Sequence, residues 1–501
     1  VRRDEGLVAL AALALGACVA AMPLPPATDW PQHLALAALL RRLWDGDPVA
    51  TALFTPNPAT HNAGVHLLLA AAARWVPVTT AGRLLLGCYP PLLLLAVARL
   101  LRRLDLPAWR ALLLVPAVLG FSFGWGLINF CLGSALAWLL VEGVLAQIDR
   151  PSPGRALAIA AGSLVLGVTH VMAMLLACLV AAVAGVERAL RAPRRAAALA
   201  RAALAGLLLL PGCIYDLHIY FLHTSKDPGA YTSPAGWAGE PGVLSKLGIF
   251  GALLSGLFTG NGDTVIAWLV VALLAGLAWA ARGAGRSPLL VPLPLLLALY
   301  LATPSVFFNT HLVFQRLPQW ALVAAVAALP ALRGRAEGLG RRGALGLAGV
   351  YLAALPVQLG LHAREAGGAL EVLASTPVGV CVTGVIEEPR TAGARVHALV
   401  HAAALAVPAG ASEDAFSFAR WMGLPVVYRP GLGPPYPERS WEHDGRRYSA
   451  LDPLARRCPV ALVRSAWPEE PEGGLRARLF SGVPARVLAR SGAWWLVDTR
   501  P

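Results

Sequence analysis

The chain has 501 residues, of which 57% are hydrophobic and only 14% charged, with a formal net charge of +14. A soluble globular chain carries roughly a quarter charged residues, so this composition excludes an ordinary soluble enzyme for most of the length. The positive balance does not indicate nucleic acid, because the arginines stand in short clusters between apolar runs, as cytoplasmic loops do.

The chain opens with VRRDEGLVALAALALGAC, which imitates a secretory signal and contains LGAC, similar to a lipoprotein cleavage box. Further apolar runs follow, so an uncleaved first span is the plainer reading. Runs of near-spanning length recur at 6–26, 82–101, 108–121, 126–147, 154–169, 171–187, 198–214, 263–281, 287–303, 317–333 and 343–361. Two further segments, 64–76 and 247–258, are too short to span and read as helices lying along the membrane surface. The expected architecture is a mainly α, polytopic transmembrane helical bundle of about eleven spans over 1–361. A small α/β soluble domain is expected at 362–501, where charges, prolines and β-rich runs replace the Leu/Ala tracts.

With Arg2 and Arg3 inside, the inner stretches collect Arg99, Arg102 and Arg103, the cluster Arg188 to Arg195, and Arg282, Arg286, Arg341 and Arg342. The longer outer stretches hold few cations, among them Arg41, Arg42, Arg74, Lys226, Lys246 and Arg316. This is a strong positive-inside pattern, and it places the tail outside. All seven histidines before residue 362 then fall on the outer side, although histidine did not set the topology. Polar groups at membrane depth are costly and usually paired or functional, so their collection on one side points to a site opening outward. Two outer loops stand out, 27–81 and 215–262. No repeat of 20–50 residues is evident, which withholds support from the inverted repeats of many transporters.

The first loop begins PATDWPQHLALAALLRRL. Thr28 or Asp29 can cap the helix opening at Pro31, and a cap is one reading of Asp29. The other is chemical. His33 follows one turn later, and a carboxylate beside an imidazole can act as a base with its orienting partner, or hold a headgroup or a metal. Asn129 in GLINF is a polar side chain near a span start, and His170 stands at the tip of the apolar hairpin SLVLGVTHVMAMLLACLV. Asp216 and His218 in YDLHIY share one face of a strand or take opposite faces of a helix. Trp30, Trp125, Tyr215, Tyr220 and Trp237 can stack on sugar rings or belong to interfacial belts.

In the tail, 378–385, 424–431, 458–465 and 486–498 read as β runs and 395–407 as a helix. No glycine-rich phosphate loop follows any of these strands. His397 and His401 at i, i+4 would share a helix face but lack a third metal ligand. Of seven cysteines, five lie in apolar runs; Cys381 and Cys458 share the tail and form a disulfide if it sits in an oxidising compartment.

A first span followed at once by an outer-loop Asp and the amphipathic surface helix QHLALAALLRRLWDGD resembles the first external loop of GT-C-type glycosyltransferases. Protein O-mannosyltransferases and lipid A aminoarabinose transferases belong to this superfamily. GWGLINFCLGSALAWLL at 124–140, the lone His170, the late RLP at 316–318 and the closing tail are similar to uncharacterised bacterial members. Well-known members often carry two acidic residues where this chain has Asp29-Trp30, which leaves a divalent metal open. The resemblance implies a polyprenyl-phosphate-linked sugar as donor, membrane lipid as surroundings, and a glycan, lipid or protein as acceptor, at the outer face of a bacterial-type inner membrane. Under it, Asp29 with His33 supplies the base. Arg316, His170 and His311 hold the donor phosphate, with Asn129, Asp216 and His218 as weaker substrate contacts. Two other classes remain: a lipid or polysaccharide transporter or flippase, and a non-catalytic envelope assembly factor.

Overall fold

The computed structural model describes residues 2–226, 241–282, 289–307, 310–421, 423–437, 440–467 and 469–501. Trp237 and Arg286, named above, lie outside the described residues. The chain is 63% helical. It divides into two compact units. The first comprises Val1–Cys18, Leu86–Phe123 and Ile128–Leu355; the second comprises Val19–Leu85, Gly124–Leu127 and Pro356–Pro501.

The first unit is helical. Helices Ile128–Asp149, Pro153–Thr169, Val171–Leu190, Gly262–Ala280, Pro292–Ala302 and Leu317–Ala328 fall on apolar runs read from the sequence. The run at 198–214 is instead a pair, Arg195–Leu207 and Leu210–Lys226, bent by 48°. Pro211 stands at the break, where it lacks an N–H and its ring crowds the preceding turn. The run at 108–121 is a 3-10 turn, Ala108–Leu114, followed by short helical pieces. Among the described residues, five helices are long and apolar enough to cross a membrane: Val78–Arg103, Ile128–Asp149, Val171–Leu190, Gly262–Ala280 and Gly334–Leu373. The bent pair makes up to six. Helix Arg2–Ala20 matches the first run but carries four charges, Arg2, Arg3, Asp4 and Glu5, in its first turn. The remaining apolar runs are helices too short to meet that measure on their own, so eleven spans stays a proposal.

Packing in this unit is close where the site needs it. A Cβ on Gly133 would lie 3.0 Å from Ala173 Cβ and 3.3 Å from His170 Cβ. Glycine there lets helix Ile128–Asp149 approach the start of Val171–Leu190. Arg110, fully buried, donates to Leu329 O at 2.6 Å and Pro330 O at 2.7 Å, satisfying carbonyls at the end of helix Leu317–Ala328.

The second unit contains a five-stranded sheet in the order Glu413–Asp414, Cys381–Ile386, Val460–Arg464, Trp494–Asp498, Arg486–Ser491. The first three strands run parallel, and the last two are antiparallel additions. The three central strands are buried throughout, as strands covered on both faces must be. One layer packs Val385, Val463, Leu475, Phe480 and Trp495; another packs Phe416, Trp441 and Leu454 around the Cys381–Cys458 disulfide, whose Cα atoms are 4.4 Å apart.

The β run read at 424–431 does not join this sheet. Its strand, Val426–Tyr428, pairs antiparallel with Phe54–Pro56 of the first loop. The segment 395–407 is not an α-helix. It winds as successive tight turns, with Val400 N donating to His397 O and Ala404 N to His401 O, ending in the 3-10 helix Ala402–Ala406. Every residue from 398 to 407 is buried, so tertiary packing overrides the helical propensity of its alanines. His397 and His401 therefore do not share the helix face expected of them.

Helix Trp30–Trp44, read as lying on a membrane surface, is buried from Trp30 to Leu40. Gln32 explains part of this. Its Nε2 donates to Asp414 Oδ2 at 2.7 Å and to Phe416 O at 3.2 Å, and its Oε1 accepts from Phe418 N at 3.2 Å. Arg42 donates to Ala411 O at 2.8 Å, and Asn57 to Leu424 O at 2.9 Å. The first loop and the tail thus form one body.

Candidate functional site

Asp29 occupies the N-cap position of helix Trp30–Trp44 but makes no side-chain capping bond. The ordinary duty of an aspartate there is to accept from the N2 or N3 amide. The carboxylate turns instead to His401, whose Nε2 stands 3.4 Å from Asp29 Oδ1. The other ring nitrogen, Nδ1, lies 3.9 Å from Glu442 Oε1. His401 is only 4% exposed, whereas Asp29 keeps 15% of its side chain in contact with the outside. The Phe418 ring meets His401 edge-on at 5.2 Å.

The backbone beneath Asp29 is held from the short segment 124–127. Thr28 N donates to Gly124 O at 2.9 Å and Asp29 N to Trp125 O at 3.0 Å. Gly126 takes φ +87°, and a Cβ there would lie 2.5 Å from Asp29 N. Only glycine meets both the left-handed backbone and the close approach.

Electrostatics follow from burial and neighbours. Burial opposes charge on His401, but hydrogen bonding and attraction from Asp29, with further attraction from Glu442 and Asp414, outweigh it and raise its pKa. Burial raises the Asp414 carboxyl to about 6, against the opposing hydrogen bond from Gln32. The arrangement is a carboxylate beside an imidazole whose protonated form is favoured by that carboxylate and by a second one behind it. It can hold an ionised base in place while that base takes a proton from a hydroxyl.

His33 is not Asp29's partner. Its Nδ1 faces His66 Nε2 at 2.9 Å and its Nε2 faces Gly126 O at 3.1 Å, while His66 Nδ1 faces Asn62 O at 2.8 Å. Residues one turn apart share a face, but the helix start turns the Asp29 side chain the other way. Burial, followed by the neighbouring His66, holds His33 well below its ordinary pKa, and burial lowers His66 to about 4. Two neutral rings carry two N–H groups, so only two of these three contacts can be hydrogen bonds at once.

In the first unit, Arg316 is buried and each of its three guanidinium nitrogens makes a hydrogen bond. Nη1 donates to His170 Nε2 at 3.0 Å, Nη2 to His311 O at 2.8 Å and Nε to Leu312 O at 3.2 Å, over the Phe130 ring at 5.5 Å. A guanidinium has no lone pair to offer, so His170 Nε2 must be the acceptor and the ring neutral there. His170 therefore positions Arg316. His311 contributes its carbonyl, and its side chain is exposed. Asn129 is buried at the start of helix Ile128–Asp149, and its Oδ1 finds no partner among the described residues.

Asp216 and His218 lie within the helix Leu210–Lys226, which resolves their spacing to opposite faces: Asp216 is buried and His218 exposed. They do not converge. Trp30 is fully buried in the core and does not present a stacking face. Among the described residues, no three His, Cys, Asp or Glu side chains stand close enough together to hold a metal. Glu442 and Asp414 were not singled out in the sequence, and His401 was named only with His397 as a possible metal pair. Its only signal was the HALVH pattern, read as a helical pair.

No protein-family model matches the chain, and no curated protein matches it in sequence. Its fold matches two crystal structures of ArnT from Cupriavidus metallidurans, one bound to undecaprenyl phosphate and one in the apo state, with TM-scores of 0.50 and 0.51. Each comparison is 14% identical and covers 98% of this chain and 97% of that one. ArnT is a lipid A aminoarabinose transferase of the GT-C type, so the resemblance carried by short sequence pieces holds at the level of the fold.

Proposed function

We propose that this chain is a membrane glycosyltransferase that takes a sugar from a polyprenyl-phosphate donor and passes it to a hydroxyl acceptor, at the outer face of the inner membrane. The observation that carries the reading is Asp29: an N-cap aspartate that leaves its helix uncapped and meets a buried histidine instead. Support for the donor class comes from the ArnT fold, one of whose structures is bound to undecaprenyl phosphate. Support for the side comes from the arginine and histidine distribution along the chain.

In the proposed reaction the acceptor oxygen attacks the anomeric carbon of the donor sugar. The carbon–oxygen bond to phosphate breaks, and the phosphate leaves on its lipid carrying the electron pair. The acceptor proton passes to Asp29. His401 holds that carboxylate in place, and Glu442 backs the imidazole from the other side. The likeness to GT-C enzymes assigns Arg316, fixed by His170 and two carbonyls, to the donor phosphate.

Binding of undecaprenyl phosphate to the purified, detergent-solubilised protein tests the reading. Wild type and Asp29→Asn should bind alike, whereas Arg316→Ala should weaken binding by about tenfold or more. Absence of specific binding to the wild type would overturn the lipid-linked donor.

A further inference from the structure

A second polar cavity lies in the first unit, at the other end of its helices. It encloses about 530 Å³ and is lined by Arg99, Arg102, Arg103, Arg150 and Arg188 together with Asp105, Glu142 and Asp149. His170 opens helix Val171–Leu190 and Arg188 closes it, so the cavity stands about 27 Å along the helix from the Arg316–His170 pair. That distance approaches the roughly 30 Å of a bilayer's hydrocarbon core.

Arginines at helix C-termini are partly explained by the helix dipole, and three helices end here. The carboxylates show that this is not the whole account. Glu142, nearly buried, is bridged by Arg99 and Arg103 at 3.3 Å each; Asp149 is bridged by Arg188 at 2.8 Å and by Arg103 at 3.9 Å. The two acids hold a comb of guanidinium groups in fixed positions. Arg102, 63% exposed, has only Glu5 at 3.5 Å, and Arg150 has no carboxylate within ion-pair distance among the described residues. Five cations face three lining anions and Glu5, which leaves one positive charge in excess around an open cavity.

An apolar cavity of about 460 Å³ lies along the same helix, Val171–Leu190. It is lined by Val144, Cys178, Ala181, Gly185, Ala202 and Leu209, among others. Ala181, Gly185 and Arg188 follow one another at i, i+4 and i+7, so the apolar groove and the arginine cavity lie along one face of the same helix. Leu95, one turn below Arg99, is also exposed.

We propose that this place binds an anionic phospholipid, with its phosphate held by the arginine comb and an acyl chain lying in the apolar groove. Basic pockets between helix ends take such headgroups by charge-assisted, forked bonds. The site is separate from the donor site and does not depend on it.

Native mass spectrometry of the full chain, released from detergent with added phosphatidylglycerol or phosphatidylcholine, tests this. The wild type should retain phosphatidylglycerol about tenfold better than phosphatidylcholine. The double variant Arg102→Gln/Arg150→Gln should lose most of that preference, and Arg102→Lys/Arg150→Lys should keep it. Equal retention of the two lipids by the wild type overturns the proposal, whatever the variants do. Displacement of phosphatidylglycerol by millimolar inorganic phosphate would assign the cavity to a soluble phosphate and overturn the lipid.

Discussion

In the proposed reaction Asp29 is the base, and two side chains define its setting: His401 at 3.4 Å and, behind it, Glu442. Asp29→Asn keeps shape and loses the base, so sugar transfer should fall by about 10²–10⁴-fold while the protein still folds and binds undecaprenyl phosphate. His401 and Asp414 add a pH dependence with a definite sign. His401 has a raised pKa in the fold, so its contribution is complete below about pH 6.5 and is lost as pH rises through the folded value. Asp414 rises from 3.8 to about 6, so the folded state holds a proton that the unfolded chain has released, and stability again falls as pH rises across that window. Thermal unfolding of the solubilised protein should therefore show a midpoint that declines from pH 4 to 6, and Asp414→Asn should flatten that slope. An unchanged slope in the variant would remove Asp414 from the account.

Among the elements, the short 124–127 segment does more than its length implies, because Gly126 lies directly under the Asp29 amide. Gly126→Ala introduces a Cβ at a left-handed backbone position and against a neighbouring peptide. It should cost about 1–3 kcal/mol of stability and reduce transfer out of proportion to that loss, measured as unfolding midpoint against activity. The Cys381–Cys458 bond ties the second strand of the sheet to the end of the short helix Pro453–Arg457, across a separation of 77 residues. A loop of that length predicts about 4 kcal/mol of stabilisation by the chain-entropy account. Cys381→Ser/Cys458→Ser, or reductant, should lower the unfolding midpoint by several degrees, and no shift would show the bond to be dispensable.

For the whole molecule, the arginine distribution predicts that Arg3 and the tail lie on opposite sides of the membrane. Alkaline phosphatase fused after Pro501 should be active in cells, and the same reporter fused after the arginines of 99–103 should be inactive. Equal activity at both points would dismiss the orientation. A disulfide in the tail accords with an oxidising compartment on that side. The same distribution predicts that the arginine cavity faces the inner leaflet, where anionic lipid is available to it.

The membrane character, the helical runs and the strands at 381–386, 460–464 and 486–498 were legible in the sequence, because they rest on local composition and on periods of 3.6 and 2. So were Asp29 and Arg316 as residues to watch, because a charge next to an apolar run is conspicuous. The partner of Asp29 was not legible. His33 is one turn away in the chain and belongs to His66; His401 is remote in the chain and belongs to Asp29. Nor did any local pattern announce that Phe54–Pro56 pairs with Val426–Tyr428, or that an alanine-rich segment would abandon its helix to bury every residue. Local propensity contributes tenths of a kcal/mol per residue, and burial with specific hydrogen bonds outweighs it. Local pattern determined what most stretches become; the tertiary structure decided the exceptions and which stretches meet, and the candidate site is made where they do.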